Sequence, residues 1–161
     1  MSDSATQRLF GRLLSMIGYA RVAASRNGAG IRLLQLRFDE TEGRDGTPMM
    51  TQFGIASRPP VGADALVLFV AGNRTGGVVV ATNDRRYQVE LAEGEVALHT
   101  DDGTLIHLRK GGEILLRAAA RVVVEAPLLE VTGDVIAGGV SLREHVHGGV
   151  DPGSGTSGQP A

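Results

Sequence analysis

The chain has 161 residues, a formal net charge of −2 and no cysteine, which excludes disulfides and thiolate metal sites. Tryptophan is absent and aromatic residues make up only 4% of the chain, so the basic face and stacking platform of a nucleic-acid binder are both missing. No apolar run approaches the roughly 20 residues that span a bilayer. The first residues lack the basic and apolar regions of a signal peptide, which predicts synthesis in a cytoplasm without export.

Glycine is frequent, at 23 residues, and hydrophobic residues make up 42% of the chain. That apolar content argues against disorder, because there is ample surface to bury. Frequent glycine beside β-branched residues predicts many short strands joined by tight turns, and hence an all-β fold.

The N-terminal segment is the exception to the β pattern. Apolar residues recur at helical spacing from Ala5 to Ile17, with Ser4 as a cap and Gly18 as a terminator. We therefore predict a short amphipathic helix within residues 1–18. It either packs on its own domain or docks on another protein.

Residues 19–83 are predicted to form a small barrel. The expected strands are Ile31–Phe38, Met49–Ile55, Ala65–Val70 and Gly77–Thr82, with a polar loop at Asp39–Pro48. About five short strands in this length suit a barrel of the oligonucleotide/oligosaccharide-binding (OB) type.

Residues 84–140 contain a short quasi-repeat of apolar pieces. The pieces begin at residues 96, 106, 114, 122 and 129, which gives steps of 10, 8, 8 and 7 residues: Val96–Leu98, Ile106–Leu108, Ile114–Leu116, Val122–Val124 and Leu129–Val131. Turn residues separate them, and so short a period is typical of a β-helix. The alternative is an antiparallel meander that completes the barrel domain.

One copy of this repeat has too few strands to enclose a core. Three copies wound about a common axis would each supply one wall of a shared apolar interior. Burial of the apolar face therefore predicts an intertwined trimeric β-helix.

The segment 141–161 contains the one pattern that suggests metal binding. His145 and His147 are two residues apart, so in an extended chain both imidazoles point the same way, about 6.5–7 Å apart. In a trimer six imidazoles meet at the axis. Six nitrogen ligands suit iron or nickel better than zinc, and they leave no open position for a substrate.

The end of the chain, from His145-Val-His147-Gly-Gly through Asp-Pro-Gly to a Gly/Ser/Thr/Pro run, resembles the apex of the phage Mu-type baseplate spike family, also called baseplate assembly protein V. The order of helix, barrel, repeat and His-x-His apex resembles that family as well. The resemblance implies a homotrimeric central spike of a contractile tail or tail-like particle, located at the virion tail tip. It implies that the barrel docks to the hub and tube proteins and that the needle pierces the bacterial outer membrane. It also implies that His145 and His147 of three chains hold one iron ion. Some family members carry further ions in the needle.

Two other classes of function compete with the spike. An enzyme needs converging polar groups, but Asp101 and Asp102 precede a turn glycine, and His99 and His107 fit surface positions. Since no catalytic motif is present, we predict no enzymatic activity and no small-molecule substrate. The second alternative is an OB-type carbohydrate- or nucleic-acid-binding module.

Overall fold

The computed structural model describes residues 3–146 and residue 153. In this part of the chain one α-helix, α1 (Asp3–Leu14), precedes ten strands. The strands are β1 (Ile17–Asn27), β2 (Arg32–Arg37), β3 (Gly43–Met49), β4 (Asp64–Phe69), β5 (Gly77–Asn83), β6 (Val96–His99), β7 (Leu105–Leu108), β8 (Ile114–Arg117), β9 (Ile136–Ala137) and β10 (Val140–Ser141). None of the helical residues described here forms a stretch long and apolar enough to cross a membrane.

The predicted N-terminal helix is present but ends at Leu14 instead of Ile17. The chain enters the sheet at once, since Ile17 pairs with Leu68 in β4 and the Phe69 amide donates to the Met16 carbonyl at 2.8 Å. Gly18 is therefore a buried strand residue, not a helix terminator. A Cβ at this position would lie 2.8 Å from the rings of both Phe38 and Phe69, so only glycine fits.

The first five strands close into a barrel in the order β1-β2-β3-β5-β4. The strands β1, β2 and β3 form an antiparallel meander, and β3 meets β5 in parallel at Met49 and Val79. Strand β4 is antiparallel to both β5 and β1, which completes the ring. A closed five-stranded barrel of this order confirms the OB-type prediction.

The barrel interior is filled by alternate residues of its strands. In β4 the inward Ala65, Val67 and Phe69 are each at most 1% exposed. The core also contains Ala20, Val22, Leu34, Leu36, Met49, Ala63 and Val79. Each chain thus completes this core by itself.

The predicted position of the third barrel strand was wrong. Residues 43–49, predicted as a polar loop, form β3, and the predicted strand at Met49–Ile55 is a loop beyond Met49. Thr47 and Met49 point inward, whereas the polar Arg44 and Asp45 lie on more exposed positions. A polar outward face is normal for an antiparallel strand, but it resembles a loop in the sequence.

Downstream of the barrel the regular structure is sparse. Strands β6, β7 and β8 form a three-stranded antiparallel sheet, and β9 and β10 form a small hairpin. The predicted pieces at 122–124 and 129–131 are not strands, since residues 118–135 contain neither helix nor strand. Contacts divide the chain into two compact units, residues 1–119 and 120–161. The four segment boundaries drawn from the sequence stay predictions.

Candidate assembly surfaces and the apex segment

The sheet β6-β7-β8 has one entirely aliphatic face. Val96 and Leu98 of β6 lie opposite Leu108 and Ile106 of β7, which in turn lie opposite Ile114 and Leu116 of β8. We call these six residues the aliphatic grid: Val96, Leu98, Ile106, Leu108, Ile114 and Leu116. Their exposed fractions run from 43% to 65%. Contiguous apolar surface of this kind marks an interface, because a soluble monomer rarely leaves it open to water.

The opposite face of the sheet carries a buried histidine. His107 is 7% exposed and donates its Nε2–H to a carboxylate oxygen of Glu95 at 3.0 Å, while Arg109 donates to its Nδ1 at 3.4 Å. Amides of Lys110 and Ala92 also donate to Glu95, and these hydrogen bonds, the Lys110 bond foremost, lower the pKa of that carboxyl group. The predicted surface position of His107 was wrong, since this strand position is covered by a polar cluster.

No group of three or more His, Asp or Glu side chains suited to hold a metal ion occurs within the described part of one chain. His99 lies on the same sheet face as His107 but pairs across the strands with Leu105. These two histidines therefore show no sign of a shared site.

Residues 118–135 have no regular partner within the described chain, yet they are rich in aliphatic residues. The side chains concerned are between 49% and 75% exposed: Val122, Val123, Val124, Leu128, Leu129 and Val131. Three successive valines exposed to the same degree indicate that one chain covers neither side of this segment.

The start of the apex segment is a hairpin held by one carboxylate. Strands β9 and β10 turn at Gly138 and Gly139, whose φ angles of 60° and 87° favour glycine. Before the hairpin, the Asp134 side chain accepts hydrogen bonds from the amides of Val135 and Arg143 at 2.8 and 3.1 Å. A hydrogen bond from Ser141 and then these amides lower the pKa of Asp134.

His145 follows this hairpin, and one nitrogen of its ring faces two backbone carbonyls. Its Nδ1 lies 2.9 Å from the carbonyl oxygen of Ser141 and 3.1 Å from that of Leu142. Carbonyl oxygens only accept, so these contacts favour a proton on Nδ1. A metal-ligating histidine usually has this arrangement, with the second nitrogen donating to a carbonyl or carboxylate. His147, the other predicted ligand, lies outside the described residues.

Sequence reasoning missed Glu95 and Asp134, the two carboxylates that organise these segments. The signal for Asp134 was its place directly before a hairpin with a double-glycine turn, where Asp commonly caps backbone amides. Glu95 gave no comparable signal, because two of its three partners, His107 and Lys110, are 12 and 15 residues away.

A closed barrel with its own core, followed by apolar faces that stay exposed in one chain, is typical of a protein that assembles through those faces. Comparison with known proteins agrees with this description. Residues 20–86 match the family model for the N-terminal part of bacteriophage Mu Gp45, and residues 139–161 match the GpV apex motif. The baseplate puncturing device gp45 of Escherichia phage Mu is 29% identical over 147 residues, which cover 84% of this chain and 75% of that protein. The resemblance to the phage Mu-type baseplate spike family is thereby confirmed.

Proposed function

We propose that the protein is the central spike of a contractile phage tail or tail-like particle, a structural component that pierces the bacterial outer membrane. The relative named as a baseplate puncturing device supports this role, because the similarity extends over most of both chains. The role needs a rigid assembly and no catalytic group.

The observation that carries the proposal is the aliphatic grid. Six aliphatic side chains stand in register on one face of β6-β7-β8. Three copies that turn this face to a common axis would form a three-walled prism with an apolar interior. Each fully buried side chain of this type contributes about 1.5–3 kcal/mol, so closure of the prism strongly favours the homotrimer.

In our proposal the needle comprises residues 84–140, and residues 118–140 are the part that follows the prism in the chain. An extended segment with exposed aliphatic residues and no strand partner of its own can pair with the same segment of neighbouring copies. Strand pairing between chains would satisfy the backbone groups, and the inward valines and leucines would fill the axis. The result is an intertwined trimeric β-helix.

The metal proposal concerns the apex. His145 and His147 of three chains would hold one iron ion, with Nε2 of His145 as the donor atom, since its Nδ1 faces the Ser141 carbonyl. When bound, the ion would serve as a structural clamp between the chain ends. The carbonyl of Ser141 orients the imidazole, and Asp134 fixes the hairpin that carries this carbonyl.

The barrel is proposed to dock on the baseplate hub and tail tube, which places the protein at the tail tip of the virion. A carbohydrate- or nucleic-acid-binding barrel has less support. Phe38 and Phe69 stack on each other in the barrel, with ring centroids 5.8 Å apart, instead of forming an open platform for bases or sugars.

The docking role can be tested with a truncated protein. A fragment of residues 85–161 should still trimerise but should be missing from assembled baseplates, because it lacks the barrel. Incorporation of this fragment at the level of the full chain would contradict the docking assignment.

The clamp can be tested by metal analysis. Native mass spectrometry should find one iron ion per three chains, and the double variant His145→Ala, His147→Ala should lose it while remaining trimeric. The aliphatic grid is untouched in that variant, so the loss should be local to the apex. Iron retained by the double variant would refute the ligand assignment.

A further inference from the structure

The outer surface of the barrel is not uniform. On the side formed by β1, β4 and β5, the outward residues are large and apolar, and we call this set the barrel flank: Ile17, Tyr19, Leu66, Leu68 and Val80. They are between 36% and 62% exposed. Ile17 stands opposite Leu68, and Tyr19 stands opposite Leu66, so the patch is continuous across the strands. The outward side of β2 carries instead the polar Gln35 and Arg37.

Strand β4 shows the same feature in its sequence. From Ala65 to Phe69 every residue is apolar, although alternate members point outward. A strand that is apolar on both faces is typical of a sheet covered on both sides. The barrel core covers the inner face, and among the described residues nothing covers the outer one.

One edge of the barrel flank is cationic. Arg21 lies directly opposite Arg37 across the β1-β2 ladder, and like charges in that position repel each other. Arg85 and Arg21 both approach Asp64, with nitrogen–oxygen distances of 3.4 and 3.7 Å. Their side chains are 78% and 67% exposed, so each guanidinium still faces solvent.

The charges at this edge are incompletely matched within the chain. Asp64 is 5% exposed, and its Oδ1 has no hydrogen-bond partner among the described residues. Arg37 forms no ion pair in the described part of the chain. Asp39, beside this edge, is occupied by the amides of Thr41 and Glu42 in its own loop, at 2.7 Å each. Glu40 lines the same cleft, and the guanidinium groups exposed at this edge are those of Arg21, Arg37 and Arg85.

The structure assigns the barrel flank, with Arg21 and Arg37 at its edge, as the surface that docks another baseplate protein through apolar side chains bordered by carboxylates. This inference rests on the proposed spike function and specifies the surface and the chemistry of the docking partner. Carboxylates opposite Arg21 and Arg37 would relieve the repulsion between the two cations and orient the partner on the apolar patch.

A second copy of this chain fits the flank less well. Apart from the aliphatic grid, exposed apolar side chains also cluster on α1 and in the loop around Phe53. The stripe on α1 is flanked by Arg8 and Arg12, and the loop that presents Phe53 is followed by Arg58. Both are bordered by cations and would repel Arg21 and Arg37, whereas the grid and the aliphatic residues of 118–135 face the trimer axis in the proposed spike.

Site-specific photo-cross-linking in assembled particles tests the assignment. A benzoylphenylalanine at Leu66 of the full-length chain should cross-link to a different baseplate protein, at a segment that contains Asp or Glu. The same probe at Gln35, on β2, should give no such product. A cross-link from position 66 to another copy of this chain, or no cross-link there, would overturn the assignment.

A charge-reversal pair gives an independent reading. Arg21→Glu with Arg37→Glu should lower incorporation into particles about tenfold or more, because the opposed carboxylates would now repel. Arg26→Glu with Arg32→Glu makes the same charge change at the other end of β1 and β2 and should have less than about a twofold effect. Equal losses in both pairs would contradict the inference. The mass of the oligomer in solution distinguishes failure of this inference from failure of the spike proposal. If trimers form and the flank variants are incorporated normally, only the flank assignment fails.

Discussion

The barrel buries its inward apolar residues within one chain, whereas the segment after the barrel leaves its apolar residues exposed. In β4 the inward side chains are at most 1% exposed within a single chain, whereas the six residues of the aliphatic grid are at least 43% exposed. Both regions alternate with the period of a strand, so the pattern of residues is similar. The difference is closure: five strands form a ring around their own core, but three strands give only one wall.

This contrast means that the stability of the barrel and the stability of the needle have different sources. A region that closes on itself has a stability set by its own contacts. A region that exposes one wall depends on the concentration and number of its partners. Changes in the two regions should therefore have different readouts, namely unfolding of the barrel and dissociation of the trimer.

The largest effect is expected from Ile106→Asp in the middle of the aliphatic grid. Three carboxylates would be buried at the axis, and an unpaired buried charge costs several kcal/mol per chain. We expect a monomer of 16.8 kDa by light scattering, with the barrel still folded. Arg117→Asp, on the other face of the same sheet, is the matched control and should stay trimeric. If the Ile106 variant remained a stable trimer, the grid could not be the interface.

A core change in the barrel should give the reverse result. Phe69→Ala should lower the free energy of unfolding of the barrel by about 3–5 kcal/mol, because the ring is 1% exposed and packs on Phe38. The trimer should persist. Phe53→Ala removes the same ring from a fully exposed position and should change stability by less than about 0.5 kcal/mol. Loss of the trimer in the Phe69 variant would show that the two regions are not independent.

A smaller effect is expected at the polar cluster behind the grid. Glu95→Ala removes the acceptor for His107 and for the Lys110 and Ala92 amides, so the thermal midpoint of the needle should fall. Assembly should survive, since the grid is unchanged. Glu93→Ala, at an exposed neighbouring position, is the control. Indistinguishable melting curves for the two variants would mean that the cluster adds no stability.

The smallest effect is expected when the pH is lowered, and it concerns the hairpin held by Asp134. The pKa of Asp134 is lowered below 3.8 by its hydrogen bonds in the hairpin. The carboxylate therefore stabilises the hairpin above that pH, and this contribution is lost as the pH falls through the lower folded-state value. The protection factors of the Val135 and Arg143 amides, taken relative to their intrinsic exchange rates, should fall as the pH drops below the ordinary range of an aspartate, and Asp134→Ala should remove this pH dependence. Unchanged protection at low pH would contradict the role of the carboxylate.

The sequence predicted those parts of the molecule in which local pattern and burial coincide. The aliphatic pieces at 96, 106 and 114 became strands, and the His-x-His end lies within the matched apex motif. The prediction from the sequence failed where a contact with a distant residue determines the structure. The helical spacing predicts a helix end at Gly18, whereas the rings that exclude a side chain there belong to the distant Phe38 and Phe69. The polar sequence of β3 predicts a loop, because its two inward residues, Thr47 and Met49, are too few to indicate a strand.

The barrel flank could not be predicted from the sequence, because it depends on the strand order. The sequence shows the all-apolar run Ala65–Phe69. Only the closed barrel shows that Leu66 and Leu68 in this run point outward. Likewise the Arg21–Arg37 pair exists only through the β1-β2 register. Assembly surfaces of this kind become visible once the strand order is known.

The central claim is that other copies of the chain cover the face that the needle leaves open. Sedimentation equilibrium of the purified full-length protein tests this most directly. We predict one species with the mass of three 16.8 kDa chains across a wide range of concentration. A folded monomer that persists at high concentration would contradict the account.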